Sequence, residues 1–254
     1  MRADKFFAEK YGSRTKAQNI LKEGLILRGG VPLQPKDEIE DEKDLVFLVG
    51  EDRFVSSGGK KLEKALAFFR QSVANEIAAD LGASTGGFTH CLLLRGVKKV
   101  YCVDVGDSLL DNKIAADPRV AVMDKTNARY LTKEDFPEEI TLVTGDLSFI
   151  SLRLILPAVC EILPDGGRAF LLFKPQFECG GKGLNGSGIL PFKRHKELLS
   201  EFYDFCGQTA LSPQDIVAAP VVAKKNIEYV IFFRKRVKSM PKDVFLRNAA
   251  EISD

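Results

Sequence analysis

Ala79-Asp80-Leu81-Gly82-Ala83-Ser84-Thr85-Gly86-Gly87-Phe88-Thr89, with Val100-Tyr101-Cys102-Val103-Asp104 shortly after it, decides the fold of this chain. The run ending at Leu81 has the composition of a buried strand, and the glycines let the backbone turn sharply at its end. Thr85 to Arg95 then carries helical spacing, with Gly96 placed to close the helix. Strand, tight turn, helix and a second strand ending on an acid open a doubly wound α/β sheet. The alternation continues outward. Strands are expected near 76–81, 99–104, 119–123, 140–145, 168–173, 215–219 and 227–233, with helices near 85–95, 107–115, 150–162 and 193–209 between them. A hairpin across Lys224-Lys225-Asn226 would reverse one of the last two strands. A helix opened by Gly58-Gly59 and running through Lys61, Leu62, Ala65, Leu66 and Phe69 leads into the sheet, and the tail from Lys238 reads as a surface helix.

The turn is not the dinucleotide fingerprint, because position 84 is Ser and the glycines fall at 82, 86 and 87. A pyrophosphate needs backbone amides at very close approach. An acid opening the loop, Asp80, instead suits a ligand with a cationic amino-acid end, as in S-adenosylmethionine. Asp104, about 20 residues beyond the loop, is placed to accept both hydroxyls of a ribose. A nicotinamide or flavin dinucleotide and a ligand-free packing turn are the alternatives at this point.

With 254 residues, 45% of them hydrophobic, the chain can bury an α/β core and leave room for a small module. Residues 1–50 read as that module, 51–57 as a linker, 58–237 as the main domain and 238–254 as a polar tail. The net charge of +2 is too slight to argue for nucleic acid by itself, but it is unevenly spread: the first thirty residues carry Arg2, Lys5, Lys10, Arg14, Lys16, Lys22 and Arg28. Five scattered cysteines fit reduced thiols, and His90 and His195 read as surface or capping residues, so no metal site is indicated. Without a signal peptide or an apolar run near the ~20 residues of a membrane span, a soluble cytoplasmic protein is expected.

Two short helices over 2–11 and 14–24, the second capped by Ser13, precede short strands at Leu25 to Leu27, Val31 to Leu33 and Leu45 to Val49. A solvated charged face is one reading of these helices. The order Arg2-x-Asp4-Lys5-Phe6-Phe7, Ser13-Arg14-x-x-Ala17, Ile20, Gly24 and a strand pair resembles the small α+β RNA-binding domain named after a ribosomal small-subunit protein. That resemblance makes Lys5, Arg14, Lys16 and Lys22 candidates for RNA phosphates, contacts that position a substrate without reading its sequence.

Lys61 on the leading helix, Asp146 and Lys174 at two strand ends and Glu228 at the start of the last strand fall where such a sheet could bring them together. A rim of solvated charges is the bland alternative. Val55-Ser56-x-Gly58-Gly59-x-Lys61-Leu62, the Asp80 to Thr89 loop, Asp104-Val105-Gly106, Thr126-Asn127-x-Arg129, Asp146-x-Ser148-Phe149-Ile150-Ser151-Leu152 and Lys174-Pro175-Gln176-Phe177-Glu178 resemble the TlyA (hemolysin A) family over nearly the whole chain. The resemblance implies a class I, Rossmann-like methyltransferase sheet with one antiparallel strand behind the RNA-binding module. It also implies an FtsJ-like activity, with methyl passing from S-adenosylmethionine to a ribose 2′-hydroxyl, of cytidine in ribosomal RNA or ribosomal subunits. Lys61, Asp146, Lys174 and Glu228 become a catalytic tetrad. Lys174 lies nearest the hydroxyl, as base or as orienting charge, and the two carboxylates orient the lysines. Asp80, Gly82, Ser84 and Gly86 would line the methionine end of the cofactor, Asp104 the ribose, and Asp124 or Asn127 the adenine rim. Ser57, His90, Asp107-Ser108-Leu109 and the loop around Gly188-Ile189-Leu190-Pro191 depart from the family pattern, which leaves the target nucleotide open. A non-catalytic RNA-binding or ribosome-assembly protein and a membrane-active hemolysin are the rival readings.

Overall fold

The computed structural model describes residues 1–22, 24–47, 54–220 and 225–251, without the side chains of Lys16 and Asn19. Residues 51–53 of the linker expected over 51–57, the end of the strand expected to reach Val49 and Lys224 of the expected hairpin turn lie outside the described residues. The first unit holds α1 (Ala3–Phe6), α2 (Arg14–Lys22) and a three-stranded antiparallel sheet in the order β2-β1-β3, with β1 at Ile26–Arg28, β2 at Val31–Pro32 and β3 at Leu45–Phe47. Ala3, Phe7, Ala17, Leu21, Ile26, Leu33 and Ile39 form its core. α1 is far shorter than the expected helix over 2–11; Phe7 already caps it, and the chain to Tyr11 runs through turns.

The second unit opens with α3 (Gly58–Phe68) and then alternates β4 (Ile77–Leu81), α4 (Gly87–Leu94), β5 (Lys99–Val103), α5 (Asn112–Ala115), β6 (Val120–Met123), β7 (Leu142–Gly145), α6 (Leu156–Ile162), β8 (Arg168–Phe173), α7 (Pro175–Glu178), α8 (His195–Cys206), β9 (Leu211–Ala218), β10 (Tyr229–Lys235) and α9 (Lys242–Ala250). The seven strands lie in the order β6-β5-β4-β7-β8-β10-β9. β10 runs antiparallel to both neighbours, as the expected hairpin requires, and the β4, β5, β6, β7 and β8 pairs are parallel. Alternate residues serve opposite faces. Ala79, Leu81, Val103 and Leu171 pack toward α6, α8 and α9, whereas Ala78, Val100, Leu142 and Phe170 pack toward α3 and α4.

Two expected helices are cut back by side chains that take over backbone donors. Over 107–115 the helix starts only at Asn112, because Asp104 and Asp124 accept the N–H groups of Gly106 and Ser108 and hold the preceding loop open. Over 150–162 Ser151 caps a short 3₁₀ turn, Leu152–Leu154, before α6 begins. The tail helix is less superficial than its polar composition suggests: Phe245 and Ala249 are buried in the main core, and Asn248 donates to Asp215 at 2.8 Å. Gly24 lies against Ala67 of α3, so the small unit rests on the helix that carries Lys61.

Candidate active site

The tight turn after β4 is built by backbone geometry. Gly82 and Gly86 have φ of +75° and +92°, and Ser84, at +50°, takes a left-handed conformation that an L side chain adopts at some cost. The Ser84 N–H donates to Asp104 Oδ2 at 2.8 Å and the Gly106 N–H to Oδ1 at 2.8 Å, so Asp104 ties the two loops together and offsets that strain. At Gly87 a Cβ would stand 2.2 Å from Ser56 Oγ, and at Gly59 it would stand 2.4 Å from the Phe54 ring. The bare backbone at both positions lets the start of α3 pack against the start of α4, which carries Lys61 to the turn.

Lys61 Nζ lies 3.2 Å from Asp146 Oδ2 and 2.8 Å from Glu228 Oε2, and Lys174 Nζ lies 2.6 Å from Asp146 Oδ1. The four residues expected to meet form one continuous chain of charge, Lys174–Asp146–Lys61–Glu228. Burial works against the Lys61 ammonium, but the carboxylates of Asp146 and Glu228 outweigh it, so its pKa lies above the usual lysine value. Lys174, 6% exposed, also donates to Ser148 Oγ at 2.8 Å, and Gln176 donates to Glu228 Oε1 at 3.2 Å. Ser148 and Gln176, two residues after Asp146 and Lys174, thus hold the ends of the chain of charge, a part that their place in the motifs alone does not reveal. The spacing of the Lys174 and Asp146 motifs was the available signal.

This chain of charge separates two clefts. One, of about 290 Å³, lies between Gly82–Thr85, Lys61, Asp146, Ser148 and Lys174. The other, of about 490 Å³, is lined by Lys60, Gln176, Ile189, Lys225 and Glu228, and Lys61 borders both. Glu178, its side chain 1% exposed, accepts from Ser151 Oγ at 2.6 Å and from the Leu152 N–H at 2.7 Å, binding the two motif loops together. Those loops present Phe149, 90% exposed, with its ring 5.2 Å from that of Phe177. On the wall of the second cleft, Asn226 accepts from the Leu190 N–H and donates to the Gly188 carbonyl. His195 is buried rather than superficial, bonded through Nδ1 to the Tyr229 hydroxyl at 3.0 Å.

The expected cofactor residues divide. Gly82 and Ser84 line the first cleft, while Gly86 turns its Cα toward Leu110 and Ile114. Asp80 does not reach the cleft: it is 1% exposed, and its carboxylate accepts from Thr89 Oγ1 at 2.7 Å and Thr144 Oγ1 at 2.9 Å. Its side chain points into the layer beneath α4, one strand step too early to face a ligand. Asp124 accepts from the Ser108 N–H, and the exposed Asn127 caps Arg129, so both are engaged in loops beyond Asp104. Bare backbone at the head of an eight-residue helix, followed by an acid at the end of the next strand, fits an amino-acid-bearing nucleoside such as S-adenosylmethionine.

Among the RNA candidates, Lys5 is exposed, whereas Arg14 is folded onto Asp4 through Nε and Nη2 at 3.0 and 2.9 Å. Lys22 joins Arg2, Lys36 and Arg70 around a cleft of about 560 Å³ between the two units, beside the half-exposed Phe68. The Lys16 side chain lies outside the described residues.

The FtsJ-like methyltransferase family profile matches residues 54–236. The chain belongs to that family. Its members are S-adenosylmethionine-dependent 2′-O-methyltransferases. Hemolysin A of Brachyspira hyodysenteriae is 38% identical over 242 residues, 92% of this chain and 99% of its own. The 16S/23S rRNA (cytidine-2′-O)-methyltransferase TlyA of Mycobacterium tuberculosis is 41% identical over 178 residues, 69% of this chain and 66% of its own. A solved Streptococcus thermophilus chain, described as a candidate hemolysin, superposes with a TM-score of 0.72 at 35% identity, covering 98% of this chain and 95% of that one.

Proposed function

We propose that this FtsJ-like methyltransferase modifies the 2′-hydroxyl of a cytidine in ribosomal RNA and works in the cytoplasm. The observation that carries the reading is the charge chain from Lys174 to Glu228 standing between the cleft at the Gly82–Thr85 turn and a second, larger one. Cytidine in ribosomal RNA as the target rests on the name of the tuberculosis relative. Loop 82–85 and Asp104 would hold S-adenosylmethionine, which supplies a methyl group already activated on a sulfonium. The target ribose would enter from the Glu228 side, with the Phe149–Phe177 ring pair, whose Phe177 ring lies 5.8 Å from Lys174 Nζ, offering a face for a splayed base.

Lys61, held as an ammonium by two carboxylates, orients the hydroxyl and stabilises negative charge on its oxygen. Lys174 first passes one of its protons to solvent and, as the free amine, receives the hydroxyl proton as the ribose oxygen bonds to the methyl carbon and the carbon–sulfur bond breaks, its electron pair staying on sulfur. Asp146 grips both lysines, one on each oxygen, and fixes the angle between them, so alignment supplies much of the rate. The interdomain cations Arg2, Lys22, Lys36 and Arg70 would hold RNA phosphates away from the reacting centre.

Transfer of labelled methyl to unmodified ribosomal subunits and to naked ribosomal RNA tests the reaction, and Lys174→Arg tests the proton step. Arginine keeps the charge and cannot accept a proton. Loss of transfer by about 10²-fold or more in Lys174→Arg is the expected result for a base. Activity within about tenfold of the wild type would assign Lys174 to steering instead. No transfer by the wild-type chain, with leakage of dye from liposomes in its presence, would favour lysis over methylation. Among the described residues no helix is long and apolar enough to cross a membrane.

A further inference from the structure

Asp80 lies apart from both clefts, yet it sits at the centre of a buried polar row. On β4 it pairs in register with Cys102 of β5 on one side and Thr144 of β7 on the other. All three side chains fall on the sheet face covered by α3 and α4, in a layer otherwise made of Ala78, Val100, Leu142 and similar apolar groups. Thr89 of α4 closes the row from above, with Oγ1 2.7 Å from Asp80 Oδ2 and 3.1 Å from Cys102 Sγ. Burial pushes the Cys102 thiol up to about 12, so it stays protonated and donates to Thr89, whose own proton goes to Asp80. The order of donation is therefore Cys102 to Thr89 to Asp80, with Thr144 donating to the other carboxylate oxygen.

The row matters because of what stands two residues further along each strand. Cys102 precedes Asp104, Asp80 precedes Gly82, and Thr144 precedes Asp146. Gly82, Asp104 and Asp146 each follow the last residue of β4, β5 and β7, so they form a second row just beyond the first at the strand ends. The upper row is the floor of the site: Asp104 pins the cofactor loop, Gly82 turns it, and Asp146 grips the two lysines. Backbone bonds tie the second row to the ends of the neighbouring strands, from Gly82 N–H to the Val103 carbonyl at 2.8 Å and from Asp146 N–H to the Leu81 carbonyl at 3.2 Å. A carboxylate buried among apolar groups with only neutral partners, two hydroxyls and the Thr89 backbone, is an expensive choice if the sheet needed only to pack.

We propose that Asp80 is a positioning residue whose two arms set the two halves of the site separately: the Thr89 arm sets the loop and helix that receive the cofactor, and the Thr144 arm sets the strand that ends on Asp146. This inference rests on the methyltransferase reading above and adds a residue to its machinery that touches neither cofactor nor ribose. The charge facing the row is Asp146 at the end of β7, itself held by Lys61 and Lys174; β5 presents the Cys102 thiol and α4 the Thr89 hydroxyl.

The arms are separated by single-atom changes, read by calorimetric binding of S-adenosylhomocysteine and by kcat on ribosomal subunits at saturating cofactor. Thr89→Val should weaken S-adenosylhomocysteine about tenfold, the worth of one hydrogen bond to a charged group, and leave kcat within about twofold. Thr144→Val should lower kcat by about tenfold and leave that affinity within about twofold. Asp80→Asn should show both defects with no fall in melting temperature. The proposal is overturned if Asp80→Asn keeps wild-type affinity and kcat, if the two threonine variants move the same quantity alike, or if the defects follow a loss of thermal stability. Should wild-type chain transfer no methyl to ribosomal RNA, the function assigned above fails, and the binding arm alone still decides whether Thr89 and Asp80 shape the cofactor cleft.

Discussion

Asp4 in the small unit and Asp80 in the large one are both closed to solvent, at 0% and 1% exposure, and their neighbours drive them in opposite directions. Asp4 accepts from Arg2, Arg14 and Gln18, and these bonds, led by that of Arg2, hold its carboxyl well below the usual range. Asp80 meets only neutral donors, the Thr89 and Thr144 hydroxyls and the Thr89 backbone, and burial pushes it up to about 6. Cationic partners make a buried carboxylate a staple; neutral partners leave it a liability that needs a functional reason. Asp146 combines the two settings. It sits at a strand end like the Asp80 row beneath it and is gripped by two cations like Asp4, but it is 22% exposed and open to a substrate.

The comparison breaks hardest where Asp146 loses a cation. Lys174→Ala removes the proton acceptor and leaves Asp146 with Lys61 alone. Methyl transfer should fall by about 10²–10⁴-fold, with S-adenosylhomocysteine affinity held within about threefold. A matched loss of cofactor binding would mean that Lys174 shapes the first cleft rather than the chemistry.

A smaller effect is expected from Asp4→Asn, which leaves Arg2 and Arg14 without their shared anion. Amide exchange in α1 and α2 should speed up, and affinity for ribosomal RNA should drop several-fold while cofactor binding stays level. The sign of the pH dependence is set by the depressed carboxyl. Its contribution is fully present above the unfolded value near 4 and is lost as pH falls through the lower folded value. The small unit should therefore keep this staple at any pH near neutrality.

The strands of the large sheet were legible because buried runs such as Ala169 to Phe173 alternate with helix-spaced segments, and β10 was legible through its hairpin. What sequence could not show is which way an acid at a strand end points. Asp80 and Asp104 both sit near the carboxyl ends of strands, but Asp80 falls on the last turn of pleat still under α4, while Asp104 lies one residue beyond β5 and clears the layer. The same limit hides the partner of Arg14: Asp4 lies in the preceding helix, and only the packing of α1 on α2 reveals that Nε and Nη2 of the guanidinium are held by it. The tetrad was readable through its family resemblance, since its members are spread from 61 to 228 and no local period links them. Glu178 lies within the Lys174 motif, but its role as a tie to Ser151 depends on contact across a long separation.

The smallest effect separates the two aspartates most cleanly. Asp80 is raised from an unfolded value near 4 to about 6, so the folded state binds its proton more tightly than the unfolded state between those two values. Ionised Asp80 therefore costs stability in full above about pH 6, and the cost fades as pH falls from there toward 4. Asparagine at this position carries no charge. Its amide keeps only a weaker, neutral bond from Thr89 and turns the Thr144 bond around, so both arms slacken while the buried charge is gone, and Asp80→Asn should raise the melting temperature at pH 7.5. The gain should be a few degrees, at roughly 2–4 °C per kcal/mol for a chain of this size, and should shrink toward zero near pH 4. Asp4→Asn should do the reverse and lower it at pH 7.5. A stabilised Asp80→Asn that transfers methyl poorly would mean that the large unit keeps an ionised buried carboxylate at the expense of its own stability, for the geometry above it. If Asp80→Asn melts lower at pH 7.5, the carboxylate is a staple like Asp4 and the contrast between the two disappears.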